Sequence, residues 1–410
     1  MYISRKLEDA ILRNLNSREI IAIVGSRQCG KTTLIRHIFE NIKEAVFLTF
    51  EDKKILDLFV HDIDAFIVSY IKPYKYVFID EFQYAKKGGK LLKYIFDTAH
   101  TKIFISGSST IDLTVQAVKY LVGRIFVFSL FPLDFEEFLN GKDAELFSFY
   151  KKNKRFLEKI GTENHFHFDN NQVSKLQDLY EEYLIYGGYP RVVTSSSIEE
   201  KKLVLKNIYN TYFLREVKDI LGLVDDYKLS QMLKALALQV GNLIEYQEIS
   251  KVSELSYQTV KHYLSFLEKT LICKLVKPFF KNKRREIVKN PKIYFIDTGL
   301  RNYIVDDFRS INERTDNGSL LENGIAMQLT KQERVFRYWR TKYKAEVDFV
   351  IELANSKSLA LEVKKTVDKT DFISKSSKDF KALHPDIPLI FCSFHLNEEI
   401  KNEVILVEEI

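Results

Sequence analysis

Gly25-Ser26-Arg27-Gln28-Cys29-Gly30-Lys31-Thr32 matches the spacing G-x-x-x-x-G-K-[ST]. Glycines at both ends allow backbone N–H groups to curl around phosphate oxygens, and a helix starting there offers its positive end. Lys31 is expected to reach the β- and γ-phosphates of ATP, and Thr32 to place a hydroxyl on Mg²⁺. Gly25, Ser26, Arg27, Gln28, Cys29, Gly30, Lys31, Thr32 and Thr33 are therefore the candidate nucleotide-binding residues. Downstream, Tyr76-Val77-Phe78-Ile79-Asp80-Glu81 is an apolar run ending in two carboxylates. At a strand end beside the phosphate loop, Asp80 would hold Mg²⁺ through its water shell and Glu81 would polarise the attacking water. Lys102–Ser106 followed by Gly107-Ser108-Ser109 ends in small hydroxyl residues. Ser108 is a candidate reader of the γ-phosphate, and a plain Ser/Gly turn is the alternative.

A second group of candidates lies near the C-terminus. Ser319-Leu320-Leu321-Glu322-Asn323 opens a helical pattern. Glu346–Ile351 and Leu359–Lys364 read as strands flanking Ala354-Asn355-Ser356-Lys357. An antiparallel hairpin centred on Asn355 puts Asp348 opposite Glu362 on one face, with Lys364 on that same face two residues on. Facing carboxylates repel unless a cation lies between them, so Asp348 and Glu362 are expected to hold a divalent metal, Mg²⁺ or Mn²⁺, with Lys364 within reach of a water or phosphate oxygen at it. A register slip of one residue would send Asp348 to the other face.

The elements that must carry these residues follow from the apolar pattern. Glu19–Val24, Ala45–Phe50, Tyr76–Ile79, Lys102–Ser106 and Ile125–Leu130 read as buried strands separated by helical segments, which implies a parallel α/β sheet covered on both faces. From Gly141 to about Ser230 the pattern is helical and charged, interrupted by Gly187-Gly188-Tyr189-Pro190, as in a helical lid. Tyr246–Ser253 and Gln258–Lys269 read as two helices, with Ser256 as N-cap of the second. A basic stretch follows, with Lys277, Lys281, Lys283, Arg284, Arg285, Lys289 and Lys292 against Glu286. Helix, turn, helix and basic hairpin suit a winged helix, whose second helix enters the major groove and whose wing touches phosphate. Such a module also serves for protein docking. His165 and His167 alternate as strand ligands would, but no third partner is near, and they read as surface histidines.

Composition bounds the rest. The chain has 410 residues with 46% hydrophobic and 29% charged residues, and only 15 glycines and 7 prolines, which excludes a disordered or fibrous chain. A net charge of +6 permits nucleic-acid contact without demanding it. No apolar run reaches the ~18 residues of a membrane helix, and no apolar leader follows Met1. Cys29, Cys273 and Cys392 are too far apart for a metal spacing, and a reducing, cytoplasmic setting is expected.

The phosphate loop, Asp80-Glu81-Phe82-Gln83, Ser106-Gly107-Ser108-Ser109, Leu121-Val122-Gly123-Arg124, Phe131-Pro132-Leu133 and Gly187-Gly188-Tyr189-Pro190 together resemble a large prokaryotic family of AAA-type ATPases with a C-terminal domain of uncertain function. That C-terminal domain resembles the PD-(D/E)XK nuclease superfamily, whose helix-Glu, strand-Asp, Glu-x-Lys order Glu322, Asp348, Glu362 and Lys364 repeat. The resemblance implies Arg124 as an arginine trigger, acting on its own subunit or a neighbour's, and Pro190 as a nucleotide-facing lid residue. Ser26 stands where the family has proline. The expected architecture is α/β: a P-loop ATPase core (1–140), a helical lid (141–230), a winged helix (231–300) and a nuclease-like, restriction-endonuclease-like domain (301–410). The expected function is a Mg²⁺-dependent ATPase acting on nucleic acid, DNA before RNA, with a homo-oligomer possible. The alternative is a nucleotide switch whose C-terminal modules dock a protein without cutting.

Overall fold

The computed structural model describes residues 2–107, 120–154, 169–211, 225–280, 289–353, 357–395 and 404–410. Ser108, His165, His167, Asn355 and the wing residues Lys281, Lys283, Arg284 and Arg285 lie outside the described residues. The chain divides into two compact units, Met1–Leu133 with Lys269–Leu271, and Asp134–Glu268 with Ile272–Ile410.

The first unit is built on a parallel five-stranded sheet in the order β2-β3-β4-β1-β5. Its strands are β1 (Ile20–Val24), β2 (Ala45–Thr49), β3 (Tyr76–Asp80), β4 (Lys102–Gly107) and β5 (Ile125–Ser129). Alternate side chains go to opposite faces. Ile21, Ile23, Phe78 and Phe104 pack with Leu34, Ile35 and Ile38 of helix α1 (Lys31–Glu40). Ala22, Val24, Val77, Ile79 and Ile105 pack on the other face with Leu92 and Ile95 of α2 (Gly88–Thr98). This is why the central strands read as unbroken apolar runs. The expectation of full cover fails for β5, where Phe126 and Val127 are 38% and 39% exposed, because the strand order makes it an edge.

The second unit joins helices to a second sheet. Helix α3 (Asn170–Tyr186) starts from a reciprocal cap between Asp169 and Gln172 and stops at Gly187, whose φ is +80°. The Asp297 carboxylate accepts the Gly188 N–H at 2.7 Å and the Leu300 N–H at 2.9 Å, so it ties this stop to the start of α7 (Thr298–Val305). A side chain on Gly299 would lie 1.9 Å from the Tyr186 carbonyl oxygen. The Gly187–Pro190 turn and the Asp297–Leu300 turn are thus two halves of one joint. Pro190 itself opens the helical turn Pro190–Val193.

Between them lie α4 (Asp226–Leu238), α5 (Tyr246–Ser253), α6 (Tyr257–Lys269) and an antiparallel pair, β6 (Cys273–Val276) with β7 (Lys292–Phe295). Ser256 caps α6 as expected, accepting the Thr259 N–H at 3.1 Å. Helix α8 (Asn317–Lys331) then leads to a five-stranded sheet ordered β12-β11-β10-β9-β8. Strands β8 (Phe336–Arg340), β9 (Glu346–Glu352) and β10 (Ser358–Thr366) form an antiparallel meander. Helix α9 (Lys375–Leu383) precedes β11 (Leu389–His395), which lies parallel to β10 and to β12 (Val404–Leu406).

Candidate nucleotide site and a second carboxylate cluster

Residues 25–30 leave β1 at its C-terminal end and turn directly into α1. Gly30 has φ +100° at the helix N-cap, and Gln28 is left-handed at +59°. Gly25 cannot carry a side chain, since a Cβ would sit 2.2 Å from the Leu130 carbonyl oxygen. Arg5 holds the loop from outside, donating to the Cys29 carbonyl at 2.9 Å and the Phe131 carbonyl at 2.6 Å. Cys29 itself is buried and packs in the apolar layer under α1. The Lys31 ammonium is folded into the loop, donating to the Gly25 carbonyl at 3.0 Å and the Ser26 carbonyl at 2.8 Å. The buried Ser26 hydroxyl has no hydrogen-bond partner among the described residues.

Strands β1, β3 and β4 end at the same edge of the sheet, as the pairs Val24↔Gly107 and Ile79↔Ile105 require. That register brings the Asp80 carboxylate between two hydroxyls. Thr32 Oγ1 donates to Asp80 Oδ2 at 2.8 Å, and Ser106 Oγ donates to Asp80 Oδ1. Ser106, which spacing does not single out, is legible in the sequence only as the last residue of a strand neighbouring β3. Glu81 follows with φ +55°, a left-handed backbone that a non-glycine residue adopts at a cost of about 1–3 kcal/mol. Its carboxylate accepts from the Gln83 amide. Thr32, Asp80 and Ser106 form a polar set where a Mg²⁺ ion and its water shell fit, since hydroxyl and carboxylate oxygens are its preferred donors.

Arg124 lies at the other end of the sheet. Its carbonyl accepts the Ile20 N–H at 2.8 Å, and the guanidinium meets Asp97 Oδ1 at 3.2 Å. From Ile20 to Val24 is roughly 13 Å at ~3.3 Å per residue, and the phosphate loop begins beyond that. Arg124 therefore does not reach the loop of its own chain.

In the second unit, Ser358↔Glu352, Leu359↔Ile351, Ala360↔Val350 and Leu361↔Phe349 are paired, the register of a hairpin centred on residue 355. Asp348 and Glu362 lie one residue beyond the last of these pairs, close enough for the Asp348 charge to act on Glu362. Asp348 Oδ2 accepts the Val363 N–H at 2.8 Å, Glu362 Oε1 meets Lys364 Nζ at 2.9 Å, and Glu362 Oε2 is buried without a hydrogen-bond partner among the described residues. Burial, helped by Asp348, pushes Glu362 up to about 8 despite Lys364. Burial also raises Asp348, against Lys292.

Glu322 stands apart from the expected ligand set. It sits on α8, where neighbouring Asn323 locks the helix to β7 by accepting the Phe295 N–H and donating to the Phe295 carbonyl, both at 2.8 Å. Glu322 Oε1 accepts Lys292 Nζ at 2.8 Å and the Tyr294 hydroxyl. Lys292 also meets Glu346 Oε1 at 2.5 Å and is 1% exposed. This corrects the assignment of Lys292 to a phosphate-touching wing: β7 turns it inward because the carboxylates there need a cation. Burial acts to lower the Lys292 pKa, but Glu322, Asp348 and Glu346 outweigh it and raise it. Burial lifts Glu322 to about 7 against the pull of Lys292. Among the described residues no three His, Cys, Asp or Glu side chains converge to hold a metal ion. Asp348 and Glu362, with its free oxygen, fit a divalent ion that keeps most of its waters. In Glu322, Lys292 and Tyr294 both engage Oε1.

Comparison with known proteins agrees with the geometry of the first unit. Residues 17–139 match a family profile described as an AAA domain. Residues 177–311 and 317–408 match two profiles described as domains of unknown function, DUF8612 and DUF4143. An uncharacterized protein of Haemophilus influenzae is 24% identical over 385 residues, spanning 89% of this chain and 88% of its own. An uncharacterized protein of Mycobacterium tuberculosis is 24% identical over 385 residues, spanning 92% and 77%. Among solved structures, the Aeropyrum pernix ORC1 protein in complex with DNA aligns at 10% identity and TM-score 0.30, over 75% of this chain and 93% of that one. A signal transduction ATPase with numerous domains from Pyrococcus horikoshii aligns at 13% identity and TM-score 0.28, over 81% and 46%. The first unit thus combines a phosphate-loop geometry with a match to an AAA domain over residues 17–139. No helix among the described residues is long and apolar enough to cross a membrane.

Proposed function

We propose that this chain is a Mg²⁺-dependent ATPase whose nucleotide cycle governs action on nucleic acid. The observation that carries the reading is the Thr32–Asp80–Ser106 hydrogen-bonded set at the mouth of the phosphate loop, beside a buried lysine. Lys31 exchanges its loop carbonyls for the β- and γ-phosphate oxygens. Thr32 and Asp80 hold Mg²⁺, which neutralises phosphate charge when bound. Glu81, on its strained backbone, orients and deprotonates the attacking water. Ser108 reads the γ-phosphate, and Pro190 faces the nucleotide from the lid. Arg124 supplies the trigger charge to a neighbouring subunit, since it does not reach its own loop, and this makes the active form a homo-oligomer.

Helices α4 to α6 with the β6–β7 pair constitute a winged helix in this reading. The exposed side of α6 carries Tyr257, Gln258, Lys261, His262 and Ser265, and its buried side carries Val260, Tyr263, Leu264 and Leu267. Such a face suits the wide major groove of DNA better than the deep, narrow one of RNA. The C-terminal sheet supports a nuclease-like reading. Asp348 and Glu362 would hold the divalent ion, and Lys364 would neutralise charge on the scissile phosphate. Bound there, the ion would lower the pKa of water and polarise that phosphate.

The switch reading, with a C-terminal domain that docks a partner and does not cut, draws on one observation: Lys292 already neutralises Glu322 and Glu346. Two assays separate the readings. ATP hydrolysis with and without DNA or RNA reports the nucleic-acid link, and metal-dependent cleavage with and without ATP reports the nuclease. Nucleic-acid stimulation together with cleavage supports the first reading; neither leaves the switch.

A further inference from the structure

The carboxylate cluster contains a cation of its own, and that cation comes from outside the sheet that carries Asp348 and Glu362. Lys292 lies on β7, in a two-stranded pair with β6. Its ammonium is 2.8 Å from Glu322 Oε1 and 2.5 Å from Glu346 Oε1, with 1% of the side chain exposed. Tyr294, two residues on and so on the same face, donates its hydroxyl to the same Glu322 oxygen. Glu346 is further held by Arg340 Nε at 3.3 Å. The arrangement has an anchored geometry. Lys292 also stacks over Tyr338 at 5.7 Å, and Asn323 clamps α8 to the end of β7. Glu362 Oε2, by contrast, is buried with no hydrogen-bond partner among the described residues.

A charged lysine costs free energy to bury unless carboxylates surround it, and its charge then competes with any further cation for those carboxylates. We propose that Lys292 is a resident counter-cation that takes Glu322 and Glu346 out of metal coordination, so that a divalent ion entering the cluster is confined to Asp348 and Glu362. This rests on the nuclease-like reading of the C-terminal sheet, and it makes Lys292 a positioning residue that acts through the carboxylates.

The test uses the full chain and Mn²⁺ as the probe. Lys292→Met keeps an unbranched side chain one atom shorter and removes its charge, which frees Glu322 and Glu346. Calorimetry should then show Mn²⁺ bound about tenfold to a hundredfold more tightly than by the parent, the range over which partners of ligands tune metal affinity. Lys292→Arg, which keeps the charge, should bind as the parent does. Adding Glu322→Gln to Lys292→Met should return most of the gain. If Lys292→Met is unfolded in chelator, Mn²⁺ should restore the far-ultraviolet circular dichroism of the parent, because the ion replaces the ammonium. A folded Lys292→Met with unchanged or weaker Mn²⁺ affinity overturns the proposal, as does a variant that stays unfolded with Mn²⁺. The underlying reading fails differently: then the parent and Asp348→Ala bind Mn²⁺ equally poorly, whatever Lys292→Met does.

Discussion

Lys31, Asp80 and Glu81 are neighbours with different tasks, and single substitutions should separate them. Lys31→Ala leaves the β- and γ-phosphates without their cation, so tight ATP binding should be lost in a nucleotide-binding titration. Glu81→Gln removes only the proton acceptor: ATP should still bind, and turnover should fall by about 10²-fold or more. Parental turnover in Glu81→Gln would end its assignment as the base. In the second unit the acids answer to pH. Glu362 near 8 and Glu322 near 7 both stand above an ordinary value of 4.5, so the folded state keeps protons that the unfolded chain has released. Stability contributed by these groups is thus greatest at low pH and declines as pH rises from about 4.5 through 7 and 8. The groups facing Glu362 are Asp348 and Glu322, which strengthen the effect, and Lys364, which opposes it. The melting temperature of the parent should fall across that window, and Glu362→Gln should flatten the fall.

At the scale of elements, the joint between α3 and α7 is the least forgiving. A methyl group on Gly299 would meet the Tyr186 carbonyl at 1.9 Å, and one on Gly187 would meet Asp297 at 2.2 Å. Gly299→Ala should therefore cost about 3 kcal/mol, read as a lowered denaturation midpoint of the second unit. A control at Gly318, which has open space around it, should cost far less. The basic run after α6 is tested by charge. Lys283, Arg284 and Arg285, outside the described residues, precede in the chain a strand whose own lysine turns inward. Replacing the three by Ala should lower the slope of log affinity against log salt by ~0.7–0.9 for each phosphate no longer neutralised. An unchanged slope would assign this run to protein docking.

Assembly belongs to the whole molecule. Arg124 and the phosphate loop occupy opposite ends of β1 and β5, so one chain cannot bring them together. Arg124→Ala should lower the rate of ATP hydrolysis by ~10³ or more, the contribution of an arginine finger. Mixing Arg124→Ala chains with Lys31→Ala chains should restore part of the activity, because one supplies an intact loop and the other an intact arginine. No recovery in the mixture, with both variants folded, would count against action in trans. The sites of the two units should also separate genetically. Asp348→Ala and Lys364→Ala should abolish metal-dependent cleavage while ATP hydrolysis persists.

Much of this was legible along the chain because it is local. The phosphate loop is a contiguous stretch whose glycines and lysine do their work within one turn, so spacing alone identifies it. The strands of the first sheet announce themselves as apolar runs because three of them are buried on both faces. The hairpin of β9 and β10 follows from its symmetric spacing, which sets Asp348 beside Glu362. What could not be read is long-range. Ser106 joins Asp80 only because β4 pairs with β3. The distance of Arg124 from its own loop comes from the parallel pairing of β5 with β1, which sets the start of one strand against the start of the other. Lys292 reads as one more basic residue in a basic run, and nothing beside it in the chain says otherwise. Its surroundings come from α8 and β9, brought to β7 by packing, which set Glu322 and Glu346 against its ammonium.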